Sequence, residues 1–590
     1  MKKVVKGLIS LVLISGLVLS MFSFNGLKAD AAETLTGTST GAHGDIVVEV
    51  TVSDDGVIEA IEVVESGENE VLSETAYEQV IADVLSTNSL EVDIVSGATQ
   101  SSQGLIDAIS NAIESAGITL AAVQNQTSEE NETQPTEYTY DIVVVGAGGA
   151  GYAAAIEAAD AGKKVILIEK LPVVGGNTLI SGGEMNAPGN WVQENLKLDG
   201  DSVEVYYEDT MKGGDNVGDP EMVRTLAENA LPAAEWLRDF VGVEFYDDQL
   251  FQFGGHSVER ALIPKGHTGQ ELIIKLDTKA KELGVDILVN TPATSLIQNE
   301  EGSVVGLIAN QNGVEMTFHA NDAVILTTGG FGANIEMRKE YDLSMDERYL
   351  STVSEGSQGD GITMGVEIGA AITNMDSIQT YPVADPETGR ISLLADTRFN
   401  GAVLINQEGE RFVEELERRD VISKAILDQT GGYAYQLWTD ELDQISNSKE
   451  LHVGEYESLL ERDLLVVTDT LEEAAEHFDI PVEALLATAD KVNEYAEIGD
   501  DKDFNHRSGV GSLQEGKYYL MKCKPSVHHT MGGLVINPQA QVLDEAGNPI
   551  EGLYAAGELT GVIHGKNRLG GNAVTDIFVF GRIAGQEASK

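Results

Sequence analysis

A glycine-rich turn between two apolar runs constrains the fold of this chain more than any other feature. The run from Asp141 to Val145 is typical of a buried strand, and Gly146, Gly148 and Gly151 follow it in the spacing G-x-G-x-x-G. The sequence AAAIEAADAG then predicts a helix, and the run from Val165 to Ile168 predicts a second strand. Two strands joined by a crossover helix lie parallel in one sheet. The pattern therefore predicts an α/β fold.

The same turn has the chemistry of a dinucleotide site. Glycines permit a tight turn and let a pyrophosphate approach the N-terminal end of the helix. Glu169, at the end of the second strand, can accept hydrogen bonds from both ribose hydroxyls. The alternative is a glycine-rich turn without a ligand, which the strand, the helix and the terminal acid together disfavour. The predicted binding residues are Gly146, Ala147, Gly148, Gly149, Ala150, Gly151, Glu169 and Lys170.

Later glycine-rich segments resemble the FAD domain of the soluble fumarate-reductase flavoproteins, a family related to succinate dehydrogenase. The segments are Gly175–Thr178, Thr327–Gly330 and Gly552–Glu558, and the resemblance extends from about Tyr140 to the C-terminus. It implies a Rossmann-like FAD-binding domain (139–377 and 526–590) with an inserted α+β clamp domain (378–525). It also implies noncovalent FAD, bound by further residues: Gly175, Gly176, Asn177, Thr178, Ser181, Gly182, Gly183, Thr328, Gly329, Gly330, Asp360, Gly557, Glu558, Asn572 and Ala573.

Charge and cysteine content exclude several classes of function. Acidic residues outnumber basic ones by 97 to 37, for a net charge of −60. Such a surface repels phosphate backbones, so nucleic acid is not expected as a partner. The one cysteine, Cys523, excludes an iron–sulfur cluster, a cysteine zinc site and c-type haem attachment. We predict no metal site, and redox chemistry through an organic cofactor or the metal centre of another protein.

The first 31 residues are typical of an export signal. Lys2, Lys3 and Lys6 precede an apolar run from Leu8 to about Phe24, and small residues follow. This order predicts a signal peptide at 1–31 that is cleaved near Ala31. An uncleaved membrane anchor is the alternative, because the run almost reaches spanning length. We expect the protein to be exported, whether secreted, at the cell surface or periplasmic.

A small α+β domain is predicted at 42–121. Its residues alternate in polarity from Gly44 to Glu65 around an Asp-Asp-Gly turn, which indicates a hairpin. Helices are expected from about Ser73 to Leu85 and from about Ser101 to Ala116. Residues 122–138 are rich in Gln, Asn, Thr and Glu and predict a polar linker.

The sequence Ser96-Gly97-Ala98-Thr99 precedes the second helix and resembles the flavinylation motif of FMN-binding domains. In that family a flavin transferase esterifies the phosphate of FMN to the last threonine, here Thr99. A phosphate there would lie near the N-terminal end of a helix, where its charge is favourable. The alternative is a turn in which Ser101 caps the helix. The resemblance implies an FMN-binding domain with covalent FMN on Thr99.

The resemblance to fumarate-reductase flavoproteins also implies a carboxylate pocket. In HHTMGG and NRLGG the family's first histidine and its arginine hold a substrate carboxylate, and these are His528 and Arg568 here. An arginine fork suits a carboxylate because two parallel hydrogen bonds form. The family's proton-donating arginine corresponds to Arg419, and a relay arginine corresponds to Arg398. The relay glutamate is replaced by Ala395.

Two residues of the predicted clamp bear on the choice of substrate. Where fumarate reductases have a histidine that contacts the far carboxylate, this chain has Tyr381, and Asp396 follows. An aspartate repels a carboxylate and favours a group that donates hydrogen bonds or carries positive charge. The pair resembles that of urocanate-reducing members of the family, in which it holds the imidazole. Glu184 is a further acid expected near the flavin edge, with an ordinary loop acid as the alternative.

These resemblances imply an exported, FAD-dependent reductase of an unsaturated carboxylic acid, with urocanate reduced to imidazole propionate as the expected reaction. Hydride would pass from N5 of FAD to one alkene carbon, and Arg419 would protonate the other. FMN on Thr99 would relay electrons from an external donor protein. Fumarate, methacrylate or an aryl acrylate such as cinnamate is an alternative substrate. A flavin electron carrier without turnover is the alternative of another class.

Overall fold

The computed structural model describes residues 33–41, 44–53, 55–92, 94, 99–121, 136–514 and 516–590. The predicted signal peptide and almost all of the predicted linker lie outside these residues. Within the described ranges, no helix combines the length and apolar composition that crossing a bilayer requires.

The N-terminal domain is an antiparallel sheet with two helices. Its elements are β1 (Glu33–Thr40), β2 (Asp45–Val52), β3 (Ile58–Ser66), α1 (Glu70–Thr87) and α2 (Thr99–Ala116). β2 and β3 form the predicted hairpin, and β1 pairs with the other edge of β2. Alternate residues of β2, including Ile46, Val48 and Val50, are buried in the core because alternate side chains of a strand share one face. This α+β fold agrees with the predicted domain type.

The second domain begins at Glu137 and carries the predicted strand–helix–strand unit. Its first part contains β4 (Glu137–Val145), α3 (Gly149–Asp160), β5 (Val165–Ile168), α4 (Gly176–Leu179), β6 (Met185–Asn186), α5 (Trp191–Leu196), α6 (Val203–Gly213), α7 (Pro220–Trp236), β7 (Ala261–Leu262), α8 (Gln270–Glu282), β8 (Asp286–Leu288), β9 (Ala293–Gln298), β10 (Val304–Gln311), β11 (Val314–Leu326), α9 (Ile335–Tyr341), α10 (Asp360–Glu367) and β12 (Ile372–Thr373).

The inserted clamp domain follows. It contains β13 (Ile378–Ala384), a 3₁₀ segment (Leu394–Asn400), β14 (Val403–Ile405), α11 (Arg419–Leu427), β15 (Ala434–Thr439), α12 (Asp440–Ser446), α13 (Ser448–Leu451), α14 (Val453–Glu461), β16 (Leu465–Thr468), α15 (Leu471–His477), α16 (Val482–Ile498) and β17 (Tyr518–Thr530). The chain then returns to the second domain with β18 (Gly533–Leu534), β19 (Gln541–Leu543), β20 (Pro549–Ala555) and α17 (Asn572–Ala588).

The two large domains are built on different sheets. In the second domain the order is β19-β20-β11-β4-β5-β8, and β20, β11, β4, β5 and β8 run parallel. In the clamp the order is β13-β17-β15-β14, with β16 also on β17, and all pairs are antiparallel. Helices cover both faces of the clamp sheet, so Val403 and Ile405 of β14 join one core while Leu404 joins the other. The predicted Rossmann-like domain with an inserted α+β clamp agrees with this architecture.

Three predicted boundaries differ from the structure by a few residues. β1 lies before residue 42, so the small domain starts earlier than predicted. β4 begins at Glu137, inside the predicted linker, because its first residues already pair with β11. β17 extends to Thr530 and crosses the predicted clamp boundary at 525. In each case a strand continues past the composition change that the sequence marks.

Candidate active site

Four parallel strands of the second domain end side by side, and a cavity lies at these ends. β5, β4, β11 and β20 are neighbours in that order. Gly146, Glu169, Thr328 and Gly557 follow their C-terminal ends and line the cavity. Ligands of open α/β sheets bind in the crevice outside the carboxyl ends of the strands. The dinucleotide fingerprint thus lies at the position where such folds bind a cofactor.

The glycines of the fingerprint shape this cavity. Gly146 has a φ of 103°, which favours glycine. A Cβ on Gly151 would overlap the carbonyl oxygen of Gly146, so Gly151 permits close packing of α3 on β4. A Cβ on Gly148 would meet only the carbonyl oxygen of Gly175, at 3.9 Å. The space beside Gly148, at the N-terminus of α3, is therefore open and fits a pyrophosphate.

Glu169 is buried at the cavity wall. Its carboxylate accepts hydrogen bonds from the backbone N–H groups of Ala147 and Leu171, both at 2.9 Å. Burial raises the pKa of Glu169 above its ordinary value. Each carboxylate oxygen can accept a further bond, so the residue fits the ribose contact that the sequence predicts.

Most of the predicted cofactor residues meet at this cavity or at a second one that adjoins it. Those at the first cavity are Gly146, Gly148, Gly149, Ala150, Glu169, Lys170, Gly176, Asn177, Thr178, Thr328, Gly329, Asp360, Gly557 and Glu558. Those at the second are Asn177, Thr178, Ser181, Gly182, Gly183, Glu558 and Ala573. Five predicted residues border neither cavity: Ala147, Gly151, Gly175, Gly330 and Asn572.

Asn572 has a different place from the one predicted. Its Oδ1 accepts hydrogen bonds from Asn186 Nδ2 at 2.7 Å and from the hydroxyl of Tyr206 at 2.9 Å. Its Nδ2 donates to Thr210 Oγ1 at 3.1 Å. The side chain therefore holds the start of α17 against β6 and α6, and it does not face the cofactor cavity. Similarly, Gly330 permits a close approach of Thr530, whose Oγ1 a Cβ would overlap.

The second cavity lies between the second domain and the clamp. It shares the lining residues Asn177, Thr178, Glu558 and Ile577 with the first, so the two cavities adjoin. All seven residues predicted to bind or protonate the substrate line it: Glu184, Tyr381, Asp396, Arg398, Arg419, His528 and Arg568. β13, the 3₁₀ segment, α11, β17 and the chain before α17 supply six of them.

His528 and Arg568 form the basic group of this cavity. Burial and the positive charge of Arg419 lower the pKa of both side chains well below their usual values. His528 is therefore neutral, whereas a guanidinium stays charged in proteins. Nε of Arg568 is buried and has no hydrogen-bond partner among the described residues. Such an unpaired cation favours an anionic ligand, because a carboxylate supplies both the opposite charge and the missing bonds.

Thr352 orients His528, and the sequence analysis missed it. Thr352 Oγ1 lies 2.7 Å from Nδ1 of His528, and Thr352 also lines the cavity. With the hydroxyl as donor, the neutral ring carries its proton on Nε2 and presents it to a ligand. Gln379 was also missed: its Nε2 donates to Asn567 Oδ1 and to the carbonyl of Arg568, both at 2.7 Å. A hydrogen bond between β13 and the chain before α17 joins residues far apart in sequence, so only the tertiary structure reveals it.

Arg419 lies between two charged groups. Its charge acts on His528 and Arg568 of the basic group and on Glu184 and Asp396. Nη1 of Arg419 is buried without a hydrogen-bond partner in the described part of the chain. Burial lowers the pKa of Arg419, which eases release of a proton. By contrast, the neighbouring Arg418 forms ion pairs with Asp215 and Asp420.

Glu184 and Asp396 form the acidic group of the cavity. Burial raises the pKa of Asp396 to about 6 and that of Glu184 to about 7, and the charge of Asp396 adds to the shift of Glu184. No described residue donates a hydrogen bond to the carboxylate of Asp396, although it lines the cavity, and the charges of Arg398 and Arg419 partly oppose the rise of its pKa. A carboxylate without hydrogen bonds in an enclosed site favours a ligand that donates one or carries positive charge.

Tyr381 and Arg398 complete the wall beside the acidic group. The hydroxyl of Tyr381 accepts a hydrogen bond from Nη2 of Arg398 at 3.4 Å, and its ring lies 5.1 Å from that of His528. Nε of Arg398 donates to the carbonyl of Ala395 at 2.9 Å. Ala395, which replaces the relay glutamate, is fully buried. Phe399 lines the cavity as well and supplies an apolar surface for a planar ring.

The predicted flavin-attachment site is described only in part. α2 begins at Thr99, two residues before the predicted start of this helix at about Ser101. The side chain of Thr99 and residues 95–98 of the motif lie outside the described residues.

Two family models match the chain. That of the FAD-binding domain matches residues 141–574, and that of the FMN-binding domain matches residues 41–114. These matches confirm the predicted cofactor types, FAD for the second domain and FMN for the first.

Several known proteins are similar over most of the chain. Urocanate reductase of Eggerthella lenta is 44% identical over 569 residues, covering 96% of this chain and 93% of that protein. Fumarate reductase (cytochrome) of Shewanella frigidimarina is 39% identical and covers 77% of each chain. The solved open conformation of a flavocytochrome c3 fumarate reductase superposes with a TM-score of 0.65 at 37% identity, covering 79% of this chain and 83% of that one. The chain therefore belongs to the family of FAD-dependent oxidoreductases that includes urocanate reductase and the flavocytochrome fumarate reductases.

Proposed function

We propose that this protein reduces the side-chain double bond of urocanate to give imidazole propionate. The observation that carries the proposal is the composition of the second cavity. In the described part of the chain, Nε of Arg568 in its basic group has no hydrogen-bond partner, and the carboxylate of Asp396 in its acidic group accepts no hydrogen bond. Urocanate has a carboxylate at one end and an imidazole at the other. A dicarboxylate such as fumarate would bring its second negative charge toward Asp396 and Glu184, which costs binding energy.

The basic group holds the carboxylate in this proposal. Arg568 supplies charge and N–H donors, and His528 donates from Nε2 in the tautomer that Thr352 selects. These donors also stabilise negative charge that develops on the carboxylate side as the alkene is reduced.

The acidic group binds the ring. Asp396 accepts the N–H of the imidazole, and the hydroxyl of Tyr381 lies beside it on the same wall. Glu184 adds negative charge, since the two carboxyl groups interact. Together they favour an imidazole over an apolar ring such as that of cinnamate.

Arg419 protonates the substrate carbon. The overall reaction adds two electrons and two protons across the double bond, and FAD, when bound, supplies the hydride equivalent. Arg419 supplies the other proton from Nη1, the atom that lacks a partner. Its lowered pKa reduces the free-energy cost of that transfer.

A substrate panel on the holoenzyme tests this function. With reduced methyl viologen as donor, kcat/KM should be highest for urocanate and lower for fumarate, methacrylate and cinnamate. A higher kcat/KM for fumarate would contradict the proposal.

Arg419→Ala should lower kcat by about 10²–10⁴-fold while the flavin absorbance is retained. Unchanged turnover in that variant would show that Arg419 is not the proton donor. If the wild-type holoenzyme reduces none of these acids, the electron-carrier alternative is favoured.

We also propose that FMN is esterified to Thr99 and passes electrons from an external donor protein to FAD. The start of α2 at Thr99 supports this, because a phosphate there would lie at a helix N-terminus. Mass spectrometry of the Thr99 peptide, from cells that also make a flavin transferase, should detect FMN attached. Thr99→Ala should lose this FMN and keep FAD. Release of all FMN on denaturation of the wild-type protein would contradict the proposal.

Export is proposed on the order of charged, apolar and small residues in the first 31 positions. N-terminal sequencing of protein recovered outside the cytoplasm should begin near Ala32. Retention of the first residues in a membrane fraction would instead support the uncleaved anchor.

A further inference from the structure

A half-buried acid of the clamp, Glu455, bonds to the start of the chain segment that carries Asp396. Glu455 lies on α14, and its carboxylate accepts a hydrogen bond from Ser392 Oγ at 2.5 Å. It also accepts one from the backbone N–H of Leu393 at 3.0 Å. Leu393 is the N-cap residue of the 3₁₀ segment Leu394–Asn400. Glu455 therefore satisfies unpaired N–H groups at the start of that segment from a different helix.

The segment has no capping side chain of its own. Its N-cap position is a leucine, which has no side-chain acceptor, and no side-chain cap hydrogen bond forms at the start of the segment. The carbonyl groups of the first turn are held by other side chains: Thr397 Oγ1 donates to Leu394, and Arg398 Nε and Gln436 Nε2 donate to Ala395. The backbone N–H at the start of the segment, three residues before Asp396, is bonded to Glu455 instead.

Asp396 is the residue most sensitive to this arrangement. Its carboxylate has no hydrogen-bond partner among the described residues, so its position follows that of its backbone. Arg398, by contrast, is anchored through its own bonds to Ala395 and Tyr381. The carboxyl groups of Glu455 and Asp396 are also close enough to interact: burial raises the pKa of Glu455 to about 7, and the charge of Asp396 contributes to this shift.

We propose that Glu455 is a positioning residue for substrate specificity: by capping the segment Leu394–Asn400 it places the carboxylate of Asp396 against the ring of the substrate. Glu455 does not line the cavity, so it acts through Leu393 and the first turn. The effect of Glu455 on substrate choice rests on the proposed function, the reduction of urocanate. Its effect on the position of the segment rests on the hydrogen bonds alone.

Kinetics of three variants test the effect on substrate choice. Glu455→Ala should raise the KM for urocanate about tenfold or more, because the charge-assisted hydrogen bonds to the segment are lost. Its kcat should change little, and the KM for acrylate, which has the carboxylate but no ring, should change less than about twofold. Glu455→Gln keeps an acceptor for the Leu393 N–H and should restore most of the affinity. Glu457→Ala, an exposed acid on the same helix, is the matched control and should match wild type.

Hydrogen exchange of the same holoenzymes tests the structural effect without substrate. Amides of residues 393–396 should exchange faster in Glu455→Ala than in wild type and Glu457→Ala, while β17 stays protected. Unchanged exchange in the segment, or equal losses for urocanate and acrylate, would overturn the proposal. If wild type reduces acrylate but not urocanate, the proposed function fails, and the exchange experiment still decides the role of Glu455.

Discussion

The basic and acidic groups of the second cavity differ in the segments that carry them. His528 and Arg568 come from the end of β17 and the chain before α17, next to the cofactor cavity. Asp396 comes from the clamp and is held by α14 and β15. The side chains proposed to bind the carboxylate thus come from the end of β17 and the chain before α17, beside the cofactor cavity. Those proposed to bind the ring come from both domains, with Asp396 on the inserted clamp and Glu184 in the second domain.

Replacing Arg568 breaks the basic group and has the largest expected effect on binding. Arg568→Lys keeps a charge but loses the planar fork, so it should raise the KM for urocanate and acrylate alike, by about 10–100-fold. Steady-state kinetics with both acids measure this. A loss confined to urocanate would contradict the assignment of Arg568 to the carboxylate.

Replacing Asp396 breaks the acidic group and should act selectively. Asp396→Asn removes the charge at nearly constant volume and should raise the KM for urocanate by about tenfold, since the ring N–H then meets an uncharged acceptor. The KM for acrylate should stay within about twofold. Glu410→Gln, an exposed acid of the same domain, is the control. If urocanate and acrylate lose affinity together, Asp396 does not distinguish the ring.

Changing the pH separates the two groups further, because the pKa values of the acidic group lie between pH 5 and pH 8, where activity can be measured. Asp396 and Glu184, with pKa values of about 6 and 7, lose their negative charge as the pH falls from 8 to 5. The KM for urocanate should therefore rise by several-fold below pH 6, whereas that for acrylate should not rise. His528 stays neutral throughout because its pKa is strongly lowered. Loss of this pH dependence in Asp396→Asn would identify Asp396 as its source, and persistence would exclude it.

The smallest expected effect comes from the residue that orients His528. Thr352→Val removes the hydroxyl that bonds Nδ1, so the ring loses its fixed tautomer and orientation. The KM of both acids should rise by about three- to tenfold with the flavin spectrum unchanged. A wild-type KM in Thr352→Val would show that backbone packing alone orients the ring.

Much of this site was predictable because its residues belong to short segments with strong local constraints. The turn at Gly146–Gly151 requires glycines for its backbone, and the two motifs around His528 and Arg568 are dense in glycine as well. Asn572 follows one of these motifs directly and lines neither cavity, because the first turn of α17 directs its side chain toward Asn186 and Tyr206. Proximity to a motif does not specify which way a side chain points.

The sequence by itself determined the α/β class, the cofactor turn and the order of the domains, because each depends on the backbone preferences of neighbouring residues. Only the tertiary structure decided that Thr352 supports His528, that Gln379 bonds to the chain at Arg568, and that Glu455 caps the segment of Asp396. Each of these contacts joins residues at least 60 positions apart. Polar side chains at such separations carry no periodicity that marks them as partners, and only the packing of the clamp against the second domain brings them within hydrogen-bond distance.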